Sequence, residues 1–190
     1  SVSAYGDTGA RDLVDEDAPL TATNAYGTSK AASDLLIQSY AASYGLSAAS
    51  LRIGWVYGPG RVTDALIQPM VRSATGKPYD LAAGGDHLLQ FVHVDDVVSA
   101  AVAAFAVEKL QSAAFNINGT DLLTVRQICA MITQHYPGVQ VNLGPGLLPD
   151  TDVQGRMDLT RAARDLCWIP AVDFADGLAA YIDWLKEHPF

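Results

Sequence analysis

"NAYGTSKAASDLL" occupies residues 24–36, and its reading decides how the rest of the chain is understood. Within a stretch that otherwise reads as an ordinary amphipathic helix it sets a tyrosine and a lysine four positions apart, Tyr26 and Lys30. Side chains at i and i+4 share a helix face, so the ammonium stands close enough to act on the phenol. A neighbouring cation favours phenolate, and a phenolate can take a proton from a hydroxyl, which is the work of a general base. The same spacing also arises wherever an aromatic ring packs beneath a solvated lysine. The surroundings must decide between the two.

Working outward, apolar and small residues recur at helical spacing from Ala25 to about Tyr44 (Tyr26, Ala32, Leu35, Leu36, Tyr40, Tyr44), and Gly45 supplies the stop. On the upstream side "ARDLVDEDAPLTAT", residues 10–23, carries acids and Pro19 without periodicity and reads as a surface loop. Downstream, "SAASLRIGWVYG" is a continuous apolar run ended by Gly58, Pro59 and Gly60, the pattern of a strand buried on both faces. "TDALIQPMVRSATG" reads as a helix strained in its middle by Pro69, followed by short strands in "YDLA" and "QFVHV". "DDVVSAAVAAFAVEKL" reads as a helix whose aspartates suit its positive N-terminal end. "AAFNIN" and "VQVNL" read as strands flanking a helix that starts after Thr124, and two helices close the chain at about 159–166 and 174–186. "GPGLLPDTDVQG" is the other long loop. Strands alternating with helices indicate an α/β fold with a mainly parallel sheet.

The bulk numbers bound the function. A chain of 190 residues with 49% hydrophobic content can bury a sizeable core. Twelve basic against 21 acidic residues give a net charge of -9, which argues against a nucleic-acid partner, since phosphate-backbone affinity needs clustered Lys and Arg. No apolar run reaches the ~18 residues of a membrane span. Cys129 and Cys167, far apart, suit a reducing cytoplasm and buried packing roles better than a disulfide scaffold. His93, His135 and His188 are scattered without the spacing of a zinc site, so no metal is expected.

Read together, "SVSAYGD" at 1–7, "LVDEDAPLTATNAYGTSKAASDLL" at 13–36, "LRIGWVYGPG" at 51–60, "FVHVDDVV" at 91–98 and "FNINGTDLLTVRQI" at 115–128 closely resemble the extended short-chain dehydrogenase/reductase family, the NAD-dependent epimerase/dehydratase group. The resemblance covers practically the whole chain and ends on "DLTRAARDLCWIPAVDFADGLAAYIDWL". It implies that Tyr26 is the catalytic tyrosine, Lys30 the lysine that polarises it and bonds the nicotinamide ribose, and Ser1 the hydroxyl donor to the reacting group. Ser1 lies four residues before Tyr5 and 25 before Tyr26, as the family motif has it. Ser29 takes the place of the structural helix serine, and Tyr57 that of the turn near the nicotinamide. The implied cofactor is NAD, with NADP as the alternative. The glycine-rich dinucleotide loop of the family sits in an N-terminal half of roughly a hundred residues, and no such motif precedes Ser1. The chain is therefore expected to be the C-terminal portion of a longer enzyme, idle in isolation.

The resemblance also separates subclasses. In the nucleotide-sugar 4,6-dehydratases of the family an Asp-Glu pair follows the Ser/Thr, because eliminating water needs an extra acid and base. Val2 and Ser3 hold those places, which argues against dehydration and against decarboxylation. Members acting on UDP-sugars carry an Asn where this chain has Trp55 and a diphosphate-gripping Arg where it has Leu89, leaving Arg156 as the remaining cation of that clamp. The expected function is an NAD(P)-dependent sugar or nucleotide-sugar epimerase or oxidoreductase. The alternatives are a dehydrogenase of a free sugar, sugar acid or small secondary alcohol, and a catalytically silent NAD-binding regulator. Ser3, Trp55, His87, Leu89 and Arg156 are the candidate substrate contacts, His87 from a loop expected to face the substrate.

The implied architecture is a partial Rossmann-like doubly wound parallel sheet with a smaller α/β substrate-binding lobe. Residues 1–57, 91–112 and 169–190 would build the Rossmann part, and 58–90 with 113–168 the lobe. The active site would lie between them. A homodimer through the tyrosine-bearing helix and its neighbour is expected, with Ala31, Ala32, Ala41 and Ala42 allowing close packing.

Overall fold

The structure, a computed structural model, describes residues 1–188. It begins with a 3-10 turn at Val2–Tyr5 that Ser1 caps, its side chain accepting from the Ser3 amide. Strand β1 (Leu13–Val14) follows, then helix α1 (Ala25–Tyr44), β2 (Ser50–Ile53), β3 (Trp55–Tyr57), α2 (Ile67–Arg72), β4 (Tyr79–Leu81), β5 (Leu88–His93) and α3 (Val94–Ala106). The order continues with β6 (Ala114–Ile117), β7 (Leu122–Thr124), α4 (Val125–His135), β8 (Val141–Leu143), β9 (Arg156–Met157), α5 (Thr160–Leu166) and α6 (Phe174–Glu187). The pairs β1–β9, β2–β6, β3–β5 and β4–β8 are parallel, and β5–β7 is antiparallel. The fold is thus α/β with parallel pairing, as the alternation of elements indicates.

The apolar run at 50–57 is two strands rather than one. β2 pairs with β6 (Ser50 opposite Ala114), whereas β3 pairs with β5 (Trp55 opposite Phe91), and Gly54 is the point of divergence. A Cβ on Gly54 would stand 2.2 Å from the Asn118 side-chain oxygen, so only glycine lets the strands part there. The expected surface loop at 10–23 contains β1, which pairs with β9 across the chain; two-residue strands leave no periodicity to read. Helix α2 is shorter than expected. Pro69 lies in its first turn, where the missing N–H costs nothing, and the Asp64 carboxylate accepts from the amides of Leu66, Ile67 and Gln68. Helix α4 starts with a capping box between Thr124 and Gln127.

Packing redistributes the expected units. β6, expected in the lobe, lies beside β2, and α5 packs with α3 over it through Ala100, Phe115, Ile117, Ala162 and Trp168. The closing helix α6, expected with residues 1–57, sends Leu178, Tyr181 and Ile182 into the cluster of Ile67, Met70, Ile128 and Ile132 from α2 and α4. Pro189 and Phe190 of that range lie outside the described residues. Cys129 is partly buried in α4, while Cys167 is exposed and caps α5 in the left-handed region at φ 52°; packing is not its role. No helix is long and apolar enough to cross a membrane, among the described residues.

Candidate active site

Helix α1 is set at its N-terminus by Asn24, whose side chain accepts from the Gly27 amide at 2.9 Å. Gly27 then faces the opening turn so closely that a Cβ there would stand 2.4 Å from the Ser3 carbonyl oxygen. That approach carries Tyr26 and Lys30 to the segment of Ser1 and Ser3. Ser1, Ser3, Tyr26, Lys30 and Trp55 line one cavity of about 540 Å³, a size typical of small-ligand pockets. Gly54 and Arg61 also line it, and Val2, Leu51, Ile53 and Val56 give it an apolar side.

Within the cavity the Lys30 Nζ stands 5.3 Å from the centre of the Tyr26 ring, over its face. Both side chains are exposed. The Ser1 hydroxyl donates to the Ser3 hydroxyl at 3.2 Å, which orients it on the same turn. Trp55 is half-buried and meets Phe91 edge-on, so one face of its indole serves the core while the residue borders the cavity.

A buried polar network holds these pieces in register. Arg52 donates to both carboxylate oxygens of Asp34 on α1, at 2.8 and 3.1 Å, to the Tyr5 hydroxyl at 2.8 Å and to the Glu16 carbonyl at 2.7 Å. Tyr5, which ends the opening turn, donates in turn to Asn116 on β6 at 2.7 Å. Burial pushes the Tyr5 phenol up to about 12, keeping it a donor. Burial also presses on the Asp34 carboxyl, yet hydrogen bonds from Arg52 hold it below its ordinary value. No motif marks Arg52, Tyr5 or Asp34 for this role; the charged residues inside "LRIG" and "SDLL" are the signal that the sequence carries.

Other expected contacts lie elsewhere. Tyr57 is buried at the centre of an aromatic cluster with Phe91, His93, Phe174 and Tyr181, and burial pushes its phenol well up. Its hydroxyl lies against Gly177, where a Cβ would come within 2.2 Å, so it faces α6 and not the cavity. Leu89 is buried in the same core and pairs with Leu123 on β7. His87 is enclosed, its Nδ1 near the Leu148 amide at 3.4 Å; it does not face the cavity as its loop position led one to expect. Arg156 is exposed on β9 and donates to the Thr120 carbonyl. Arg61, by contrast, was not among the expected contacts, because a position after Gly58-Pro59-Gly60 reads only as loop. No group of three or more His, Cys, Asp or Glu side chains stands together as a metal site would require, among the described residues.

Comparison with known proteins bears on the family and the fold. The model of the "NAD dependent epimerase/dehydratase family" matches residues 1–118. The dTDP-glucose 4,6-dehydratase of Neisseria meningitidis serogroup B is 29% identical over 198 residues, covering 97% of this chain and 56% of the relative. The chain therefore spans little more than half the length of the curated relatives it matches. Among solved structures, MoeE5 in complex with UDP-glucuronic acid and NAD superposes with a TM-score of 0.87 at 28% identity, covering 98% of this chain and 63% of that one. UDP-glucuronic acid 4-epimerase from Bacillus cereus, with UDP-glucuronic acid and NAD, gives 0.81 at 25%, covering 97% and 59%. With the model spanning well over half of its residues, the chain belongs to the NAD-dependent epimerase/dehydratase family.

Proposed function

We propose that the protein is an NAD-dependent nucleotide-sugar epimerase or oxidoreductase in which Tyr26, Lys30 and Ser1 act on a carbinol group held in the cavity. The observation that carries this reading is the convergence of those three side chains, from two separate segments, on one cavity of about 540 Å³. NAD is the cofactor of the family, and the residues present fit it. Lys30 Nζ makes no hydrogen bond or ion pair among the described residues, so its three donors are available to ribose hydroxyls beside the cavity.

When bound, NAD supplies the hydride acceptor and donor. Tyr26, acting as the base, takes the proton of the substrate hydroxyl while the electrons of the adjacent C–H bond leave as hydride, and a carbonyl forms. The Ser1 hydroxyl, oriented by Ser3, bonds the reacting oxygen, and the Lys30 ammonium steadies the phenolate charge. Tyr26 returns the proton when the carbonyl is reduced again. Val2 is buried and apolar, and a serine hydroxyl at residue 3 does not exchange protons near neutral pH, so the reading stops at epimerisation or oxidation and leaves out the relative's elimination step. A dehydrogenase of a smaller substrate is the second reading. It is favoured by the burial of Leu89, which puts an apolar side chain in the core at one of the usual diphosphate positions.

The test supplies the full-length protein with NAD and a panel of UDP- and dTDP-hexoses, free sugars and sugar acids, following NADH and product stereochemistry together. Interconversion of a nucleotide sugar without net NADH is the expected result, and net NADH with a free substrate would select the second reading. Tyr26→Phe should lower turnover by roughly 10²–10⁴-fold while NAD still binds. Full turnover in Tyr26→Phe would remove Tyr26 from the mechanism.

A further inference from the structure

We propose that Arg61 is the anion-binding residue of this cavity, gripping a phosphate or carboxylate carried by the substrate. The inference rests on the reading of the cavity as the active site. The chain carries 21 acidic residues against 12 basic ones, yet the cavity wall holds Lys30 and Arg61 and no Asp or Glu. Such local inversion of a strongly acidic chain focuses positive potential where a ligand would sit.

Arg61 holds no carboxylate within 4 Å among the described residues, although its charge acts on the buried Tyr181 phenol. Arg52, Arg126, Arg161 and Arg164 each hold a carboxylate within 4 Å, at 2.8, 3.3, 2.7 and 2.5 Å respectively. Arg61 enters no ion pair among the described residues, and its Nε is buried without a hydrogen-bond partner. A buried guanidinium N–H left unmatched costs free energy that an incoming anion would recover. The turn after β3 fixes its place: Gly58 at φ 122° and Gly60 at φ 81° fold the backbone so that the Arg61 amide donates to the Gly58 carbonyl at 3.2 Å. The planar guanidinium fork suits the paired oxygens of a phosphate or carboxylate. Meanwhile Leu89 is buried in the core, and neither it nor Arg156 lines the cavity. The anion clamp of this chain is therefore displaced to the loop after β3, and the favoured substrate class is one bearing a diphosphate or a sugar carboxylate.

The measurement is calorimetric titration of the NAD-loaded full-length protein at low ionic strength with inorganic pyrophosphate, D-glucuronate and neutral D-glucose. Arg61→Met should weaken the anion that binds by roughly tenfold or more and leave glucose unchanged. Arg61→Lys should retain part of the affinity, and Arg126→Met, at an exposed pair with Asp86, should retain all of it. Loss confined to pyrophosphate marks a diphosphate clamp, and loss confined to glucuronate marks a carboxylate clamp. Equal anion binding in wild type and Arg61→Met, or no anion binding by wild type, overturns the assignment. So does a fall in NAD affinity alone, which would give Arg61 to the cofactor. Tyr26→Phe should bind these anions normally, so failure of the catalytic reading and failure of this one are separable. Circular dichroism of each variant, with Arg61→Gln as the second neutral replacement, excludes loss of fold as the cause.

Discussion

His87 shows how one side chain can sit in a loop by sequence and in the core by structure. Its ring is fully enclosed, Nε2 has no partner among the described residues, and Leu148, 61 positions away, supplies the amide nearest Nδ1. Burial lowers its pKa below the ordinary 6.5, with the charge of Asp7 opposing weakly. Because the folded value lies below the unfolded one, the unfolded chain binds the extra proton as pH falls. The stabilising contribution of the neutral ring is therefore present above about pH 6.5 and lost below it. The melting temperature of wild type should fall more steeply from pH 7 to 5.5 than that of His87→Gln, and equal slopes would show that His87 is not the group responsible. Tyr57 and Leu89 teach the same lesson at this scale. Their motif positions were readable, but the direction of each side chain depended on α6 and β7, which lie far along the chain. Tyr26, Lys30 and Ser1 needed less: an i, i+4 spacing and a short turn placed them, and the structure brings them to one cavity.

Among elements, the join between α1 and the opening turn decides the site, and Arg52 is its pin. Side-chain exposures of 3% and 2% put the Arg52–Asp34 pair out of water, so removing one partner strands the other charge. Asp34→Asn or Arg52→Met should each cost about 3–5 kcal/mol in urea unfolding. The double replacement Asp34→Leu with Arg52→Met should cost less than the sum of the two singles, since neither charge is then left alone. Additive losses would mean that the two side chains do not act as a unit. The sequence shows α1, α4 and α6 well because each is long, apolar in period and capped by its own residues, Asn24, Thr124 and Asp173. It does not show β1, β7 and β9, whose two or three residues are strands only because a distant partner accepts their hydrogen bonds. The change of partner at Gly54 is equally silent, being a property of where Asn118 lies.

For the whole molecule, the surface poses the remaining question. Residues 35–44 of α1, "LLIQSYAASY", contain no charged group, although Leu35, Leu36, Tyr40 and Tyr44 are all more than half exposed. A helix face bounded by water ordinarily carries charge, and monomers rarely show contiguous apolar patches beyond a few hundred Å². Tyr40 and Tyr44 lie against each other with ring centres 5.3 Å apart, forming an aromatic surface of the kind enriched at interface centres. The exposed Ala32 and Ala42 permit a close approach of backbones, and the absence of charge spares two copies the repulsion that a net charge of -9 would otherwise impose. We therefore expect a homodimer packed through α1. Light scattering across a dilution series should give twice the chain mass at high concentration. Leu36→Asp with Tyr40→Asp should return the mass to that of one chain, because burying two carboxylates per copy at a dry helix interface is unfavourable. Neither residue lines the cavity, so NAD binding should survive in that variant. A double-aspartate variant that keeps the dimer mass would remove α1 from the interface and leave the exposed stripe of Val98, Val102 and Phe105 on α3 as the next face to substitute.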